Sequence, residues 1–321
     1  MARPMARMTF DEALNDALLV EMRRDSSVVV IGEDVELKQA ALFKEFGARR
    51  VRNTPISEAQ IIGLAVGSAA MGLRPVTCMS FSDFLCCCFD EIVNQAAKMS
   101  YMLGGQTHLP LVVRCSTGAG IRAAAQHSQS LESVFAQFPG LKVAVPSTPE
   151  KAKGLLAQAI RDDNPVIFFE HKLLGRMEGE VPAGEYTLPF GRADVVREGD
   201  GVTLVAWGRM VPICLDAAAR LSAQGTEAEV IDVMTLTPFD EETVLASVRK
   251  TGRCVVAHEA VLHGGFGGEV AARVAEKAFA SLKGPVKRVG APFSPVPFSP
   301  PLEDAWIPGA DCVVEAIQEL L

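Results

Sequence analysis

Short runs of apolar, largely β-branched residues alternate along the chain with longer stretches whose apolar positions recur every three or four residues. Alternation of strand and helix periods predicts a parallel α/β architecture. The first helical stretch is introduced by Thr9-Phe10-Asp11-Glu12, a capping box, and Leu14, Leu18 and Met22 mark its inner face. "SVVVIGED" (27–34) reads as a buried strand ending at Gly32-Glu33-Asp34, and "RPVTCMSF", "LPLVVRC", "LKVAVPS" and "NPVIFFE" supply further strands. Thr148-Pro149 opens the helix "PEKAKGLLAQAIRDD", proline being suited to a first helical position. From Gly175 the pattern loosens into a stretch rich in Gly, Pro and Glu, read as a linker. Beyond it come "VTLVAWG", "EAEVIDV" and "RCVVAHE", each followed by a helical pattern, then "VKRVGAP" and a terminal helix "DCVVEAIQELL". Two parallel-sheet domains follow, residues 1–185 and 186–321.

One stretch breaks the ordinary logic of such patterns. In "TPISEAQIIGLAVGSAAMGLRP" (54–75), Glu58 begins a run that carries no further charge until Arg74. Ser57 reads as a helix cap, and a carboxylate in a first turn is favoured by the helix dipole. The uncharged run predicts a helix buried on every side, with Gly63, Gly67 and Ala70 giving one nearly bare face for close approach of another backbone. A lone carboxylate at the mouth of such a helix is either a dipole partner or a working group.

Composition narrows the classes. The 321 residues are 49% hydrophobic with a net charge of -8, enough apolar material for a large core and no basic face for nucleic acid. No apolar stretch suits a signal peptide or a membrane span. Eight cysteines without a secretory signal point to a reducing cytoplasm.

Four local patterns invite chemistry. "GDG" (199–201) precedes a strand and reads as a turn. No two of the four asparagines are adjacent, so the Asn-Asn pair that completes a diphosphate–metal motif of the thiamine type is missing. "HGGFGGE" (263–269) enters a helix; its glycines suit an anion or, by preference, close packing. Cys86, Cys87 and Cys88 point in different directions on a helix and cannot grip one ion, so they read as small buried thiols. "GAGIRAAAQHSQS" (118–130) follows the strand "LPLVVRC" and holds His127 where open α/β sheets place ligands. A histidine there can titrate near neutrality and move a proton.

Taken together, "TPISEAQIIGLAVG", "DEIVNQAAK", "GAGIRAAAQHSQS", "GLKVAVPS", "AIRDDNPVIFFEHKLL" and "GGFGGEVAARVAE" resemble one family. It is the β subunit of the thiamine-diphosphate-dependent first component of 2-oxo acid dehydrogenase complexes. The likeness runs from the first helix to "PLEDAWIPGADCVVEAI". Within the family, "DFLCCCFDEIVNQAAK", "RAAAQHSQ", "EHKLL", "GEVPAGEYTLPFG" and "GRMV" are most similar to acetoin dehydrogenase β subunits. The resemblance implies a transketolase-like pyrimidine-binding domain followed by a transketolase C-terminal-like domain that serves subunit and complex assembly. It implies an α2β2 heterotetramer in which the α subunit holds the diphosphate and magnesium and the β subunit holds the aminopyrimidine.

By the same resemblance Glu58 hydrogen-bonds a pyrimidine ring nitrogen, Phe84 stacks on the ring, and Ile56 contacts it through its backbone. Glu33 lies near the cofactor, and His127 acts on substrate protons. A structural potassium ion would take carbonyls of Leu111, Ala159, Asp162 and Asn164. The downstream partner would be an acyltransferase core bearing lipoyl groups, which receives the acetyl unit released from acetoin.

Two departures stand out. "ELKQAALFKEFGARRVRN" (36–53) is shorter than its family counterpart and lacks a glycine-rich piece beside the active-site entrance, and Cys87 replaces a polar residue of some relatives. The alternatives are therefore a pyruvate or branched-chain 2-oxo acid dehydrogenase β subunit, a divergent thiamine-dependent transferase, or a noncatalytic scaffold.

Overall fold

Val- and Ile-rich runs become the strands of two mostly parallel sheets, beside a two-stranded antiparallel pair, in the computed structural model, which describes residues 4–321. The first half contributes β1 (Met5–Thr9), β2 (Val28–Gly32), β3 (Val51–Asn53), β4 (Arg74–Met79), β5 (Val112–Thr117), β6 (Lys142–Ala144), β7 (Val166–His171) and β8 (Glu178–Pro182). The second contributes β9 (Asp194–Arg197), β10 (Val202–Ala206), β11 (Ala228–Asp232), β12 (Thr235–Thr237), β13 (Cys254–Val261) and β14 (Lys287–Ala291). The first sheet runs β12-β6-β7-β5-β4-β2-β3 and the second β14-β13-β10-β11-β9, antiparallel only at the β12 and β9 edges. β2 and β4 lie side by side, yet the chain leaves them for β3 and β5 on opposite flanks. Such a reversal leaves a crevice at the carboxyl ends of the strands.

The Thr9 capping box forms as read, with reciprocal bonds to Glu12, and Leu14, Leu18 and Met22 are buried. Four expectations need correction. The presumed linker is partly built: Glu178–Pro182 pairs with β1, and Asp194–Arg197 edges the second sheet. Main-chain pairing overrides a Gly- and Glu-rich composition there.

The helix Glu58–Ala70 is buried on one side only, through Ile61, Ile62, Ala65, Val66 and Ala69, while Gly63, Leu64, Gly67 and Ala70 are exposed. Small residues lower the polarity of a face without requiring cover. Ser57 occupies the cap position but its hydroxyl makes no capping bond. The three cysteines sit on a 3-10 helix, Ser82–Cys88, where every third residue shares a face. Ser82, Leu85 and Cys88 therefore face the core, and Cys86 and Cys87 are exposed.

The sheets share one core. Ile167 and Phe169 of the first and Val205, Ile231 and Val256 of the second belong to a single cluster of buried side chains that also takes in Ile61 and Ile62. Each such side chain is worth about 1.5–3 kcal/mol of burial, which holds the two halves in one register. β12 reinforces it, because a strand from the second half pairs with β6 of the first.

Two glycines of "HGGFGGE" serve packing: a Cβ at Gly265 or Gly267 would lie 2.5 Å from the His258 ring. That ring stacks on Trp207 at 5.5 Å and directs Nδ1 to the Ala260 carbonyl oxygen. Burial pulls the His258 pKa down to about 4. The unfolded chain, near 6.5, binds the proton more readily, so the contribution is complete above pH 6.5 and fades as pH falls toward 4. Denaturant titrations are expected to lose about 3 kcal/mol through this group across that window, and His258→Gln to lack that component of the slope.

Candidate active site

The carboxyl ends of the first sheet carry the chemistry-bearing residues. β2 ends at Gly32, where a Cβ would meet the Cys78 carbonyl oxygen at 2.6 Å, so glycine lets β2 and β4 approach. Glu33 follows, and its carboxylate accepts a long bond from the Ser80 hydroxyl at 3.5 Å. Lys38 donates to the Glu33 carbonyl and to Ser80 at 3.4 and 3.3 Å.

β4 leads into the 3-10 helix that turns Phe84 away from the core face. The Phe84 ring meets the His127 ring edge-on at 5.4 Å, and Phe81 completes a triangle at 5.7 Å from Phe84 and 5.1 Å from His127. Edge-to-face pairs of this kind add about 0.5–1.5 kcal/mol each. Two residues far apart in sequence, each singled out from it, are thus neighbours.

His127 is held on both sides. Behind it, Asp83 accepts from the Gln129 backbone N–H at 3.2 Å and its side-chain amide at 2.8 Å, and the Ser82 hydroxyl donates to the Gln129 carbonyl at 2.9 Å. Lys172 donates to the carbonyls of His127 (2.5 Å) and Gly118 (2.8 Å), its ammonium 4.7 Å from the centre of the Phe81 ring. Burial brings the Lys172 pKa down to about 8.

Ahead of it the loop is contorted: Gly118 and Gly120 have φ of 86° and 104°, and two residues that carry a Cβ, Arg122 and Ala124, have φ of 63° and 60°. Each non-glycine residue there costs roughly 1–3 kcal/mol. Two carboxylates of the second half offset this cost. Glu303, fully buried, accepts from the backbone N–H of Gly120 (2.8 Å) and Arg122 (3.2 Å) and from the Arg122 guanidinium (2.7 Å). Glu259 accepts from Ala119 N–H (2.7 Å), His171 Nε2 (2.8 Å) and Arg209 (3.2 Å). Against the cost of burial, His171 above all and then Ala119 and Arg209 hold the Glu259 pKa down to about 2. The sequence reading missed Phe81, Lys172, Glu259 and Glu303. A lone lysine ending the β-run "VIFFEHK" was the one available signal.

Glu58 stands half-buried at its helix start, and its side chain forms no hydrogen bond or ion pair with another described residue. It lies close enough to the 3-10 helix for its charge to join burial and Glu91 in pushing the Cys88 thiol up to about 12. Ile56 is 73% exposed, its side chain engaged in no core. Among the described residues four buried side-chain oxygens lack partners: Thr54 Oγ1, Asp83 Oδ2, Ser128 Oγ and Glu132 Oε2. The first three each lie within two residues of one of the expected residues Ile56, Phe84 and His127. An open carboxylate, a half-buried aromatic ring and unpaired acceptors and donors suit a flat polar heterocycle.

The expected potassium site is less open. The Leu111, Ala159 and Asp162 carbonyl oxygens already accept from Val166 N–H, Asp162 N–H and Arg74, at 3.0, 3.3 and 3.1 Å. Lys142 also pairs with the Asp162 carboxylate. At these three carbonyls an ion would find only second lone pairs, with two cationic side chains beside it. Among the described residues no group of three His, Cys, Asp or Glu side chains is placed to hold a metal ion.

Comparisons with known proteins show what the whole chain is similar to. Residues 6–178 match the transketolase pyrimidine-binding domain and residues 191–313 the transketolase C-terminal domain. The chain is 47% identical over 336 residues to the acetoin:2,6-dichlorophenolindophenol oxidoreductase subunit beta of Bacillus subtilis (strain 168), covering 99% of this chain and 98% of that protein. It is 43% identical over 324 residues to the pyruvate dehydrogenase E1 component subunit beta of the same organism, covering 99% of each. To its 2-oxoisovalerate dehydrogenase subunit beta it is 42% identical over 324 residues, covering 98% of this chain and 99% of that one. A solved structure described as split gene transketolase, inactive beta4 tetramer, superposes with a TM-score of 0.81 at 27% identity over 98% of both chains.

Proposed function

The chain belongs to the transketolase-like family of acetoin and 2-oxo acid dehydrogenase β subunits, and on that premise we propose that it is the β half of a thiamine-diphosphate-dependent enzyme of the acetoin dehydrogenase type. The observation that carries this is the meeting of Phe84 and His127 at the carboxyl edge of the first sheet, with Glu58 unengaged nearby. The α subunit of an α2β2 assembly holds the diphosphate and magnesium. When bound, the cofactor supplies the carbon nucleophile and the electron sink that make cleavage beside a carbonyl feasible.

This chain supplies position and protons. Glu58 holds a proton at a pyrimidine ring nitrogen, Phe84 offers a ring face, Ile56 a backbone contact, and Glu33 a second carboxylate at the rim. His127 moves the proton of the substrate oxygen. Its ring is anchored edge-on by two phenylalanines and its backbone by Lys172, so little reorganisation accompanies transfer. The half from 186 to 321 serves assembly with the α subunit and a lipoyl-bearing acyltransferase core, which takes the acetyl group.

Higher identity favours acetoin as donor, 47% against 42–43%. Chain length favours the second reading, a pyruvate or branched-chain 2-oxo acid dehydrogenase: 324 aligned residues come nearer this chain's 321 than 336 do. Reduction of an artificial electron acceptor separates them, with the chain co-expressed with the α-type subunit of its own genome and offered acetoin or pyruvate. We expect acetoin to be preferred by about tenfold or more, the scale on which one displaced contact changes specificity. A preference for pyruvate overturns the acetoin reading.

A further inference from the structure

Lys172 follows β7 on the short 3-10 helix Lys172–Leu174 and carries a charge with no counter-ion. Its ammonium donates to the carbonyl oxygens of Gly118 at 2.8 Å and His127 at 2.5 Å, and it lies 4.7 Å from the centre of the Phe81 ring. Among the described residues it pairs with no carboxylate. The acidic groups that face it are bonded elsewhere. Asp83 of the 3-10 helix Ser82–Cys88 holds Gln129, Glu259 of β13 holds His171, and Glu303 of the helix Pro300–Trp306 holds Arg122. From β5, Cys115 faces it as a thiol that burial keeps well above its ordinary pKa. On the remaining side Arg114 is matched by Glu170, with Asp11 and Lys38 farther round the same wall. An ammonium withdrawn from water without an opposite charge gives up its proton readily, and burial brings the Lys172 pKa down to about 8.

The two carbonyls it grips lie at the two ends of the loop that presents His127. Glu259 and Glu303 fix the first turn of that loop through Ala119, Gly120 and Arg122, and neither bonds His127. Among the described residues Lys172 is the one side chain that bonds both the loop's start and the His127 backbone. It also draws on Phe81, whose ring packs edge-on against the imidazole at 5.1 Å. Without its charge the amine is a poorer donor and loses its attraction to that ring. Its proton has a path to water, because Lys172 lines a cavity of about 660 Å³ beside Phe81.

We propose that Lys172 is a positioning residue whose charge clamps the His127 loop, and that loss of its proton releases the loop and slows the proton step. This rests on His127 moving the substrate proton. The enzyme then carries an alkaline limit set by this chain, from a group that touches neither donor nor cofactor.

The test is the pH dependence of kcat for the assembled enzyme, at saturating donor and electron acceptor, with whichever of acetoin and pyruvate it turns over. Wild-type kcat is expected to fall about tenfold or more along an alkaline limb centred near pH 8. A displacement of about 1 Å costs as much as a hundredfold, so a partly released loop accounts for that fall. Lys172→Met keeps the stem without the charge. It is expected to show the wild type's alkaline rate at every pH from 7 to 9, with KM for the donor little changed. Lys172→Arg stays charged throughout and is expected to recover part of the rate at pH 7 and to lose the limb.

A limb that persists in Lys172→Met, or a wild-type kcat that stays level from pH 7 to 9, overturns the inference and leaves the proposed function standing. If Lys172→Met fails to assemble, the arginine variant decides, and a limb left in place by arginine overturns the inference. His127→Gln is run alongside: normal turnover by that variant removes His127 from the proton step and takes the inference with it. No turnover of either donor by the wild type overturns both.

Discussion

Glu58→Gln in the assembled enzyme is expected to lower kcat about a hundredfold or more while leaving the fold intact. Glutamine keeps the shape and the hydrogen-bonding oxygen but cannot hold a proton that is then returned, and positioned proton transfer is worth about 10²–10⁴ in rate. The structural cost is small. Glu58 has no partner among the described residues, so the substitution breaks no ion pair and forfeits only a dipole interaction of roughly 0.3–1 kcal/mol. Turnover by the variant with the α subunit, alongside its melting temperature, checks both parts. Retained activity would leave Glu58 as a helix-start residue and would favour the scaffold reading.

The second large effect is expected far from the reacting atoms in sequence. Glu303→Ala removes the acceptor for two backbone amides and one guanidinium of the loop Gly118–Ala124. Each of the two amides left without its acceptor costs about 1–3 kcal/mol, while Arg122 keeps Asp304 as a partner, and the loss falls on a loop whose Arg122 and Ala124 already sit at positive φ. Released, the loop lets His127 drift, and a displacement of about 1 Å costs as much as a hundredfold in rate. Denaturant titration reads the first effect and kcat the second, while KM for the donor is expected to change little. Glu303→Gln retains one good acceptor and should fall between the two proteins. A variant that melts early yet turns over at the normal rate would show that Glu303 supports the fold without positioning His127.

These two residues mark the limits of reading the sequence. Glu58 and His127 were legible because each interrupts a pattern, a carboxylate on an uncharged helix and an imidazole in a glycine- and alanine-rich turn. The main strands and the capping box follow from local rules of propensity and spacing, and both were legible for that reason. Glu303 and Glu259 lie on ordinary helix and strand patterns, and only their tertiary placement, more than 130 residues from the loop amides they bind, gives them a role. Cover is also a tertiary property. The pattern of Glu58–Ala70 looked buried all round because glycine and alanine carry no polarity to reveal an open face. The strand Glu178–Pro182 was hidden for the opposite reason, since its glutamates and glycine resemble a linker until β1 pairs with it.

The central claim is that the cofactor site is shared between chains, this one supplying the pyrimidine half. Calorimetric titration of thiamine diphosphate with magnesium into this chain, into the α-type subunit and into their mixture tests it most directly. Saturable binding by the mixture, with none by this chain alone, is the predicted result. Tight stoichiometric binding by this chain alone, or no binding by the mixture, would contradict it.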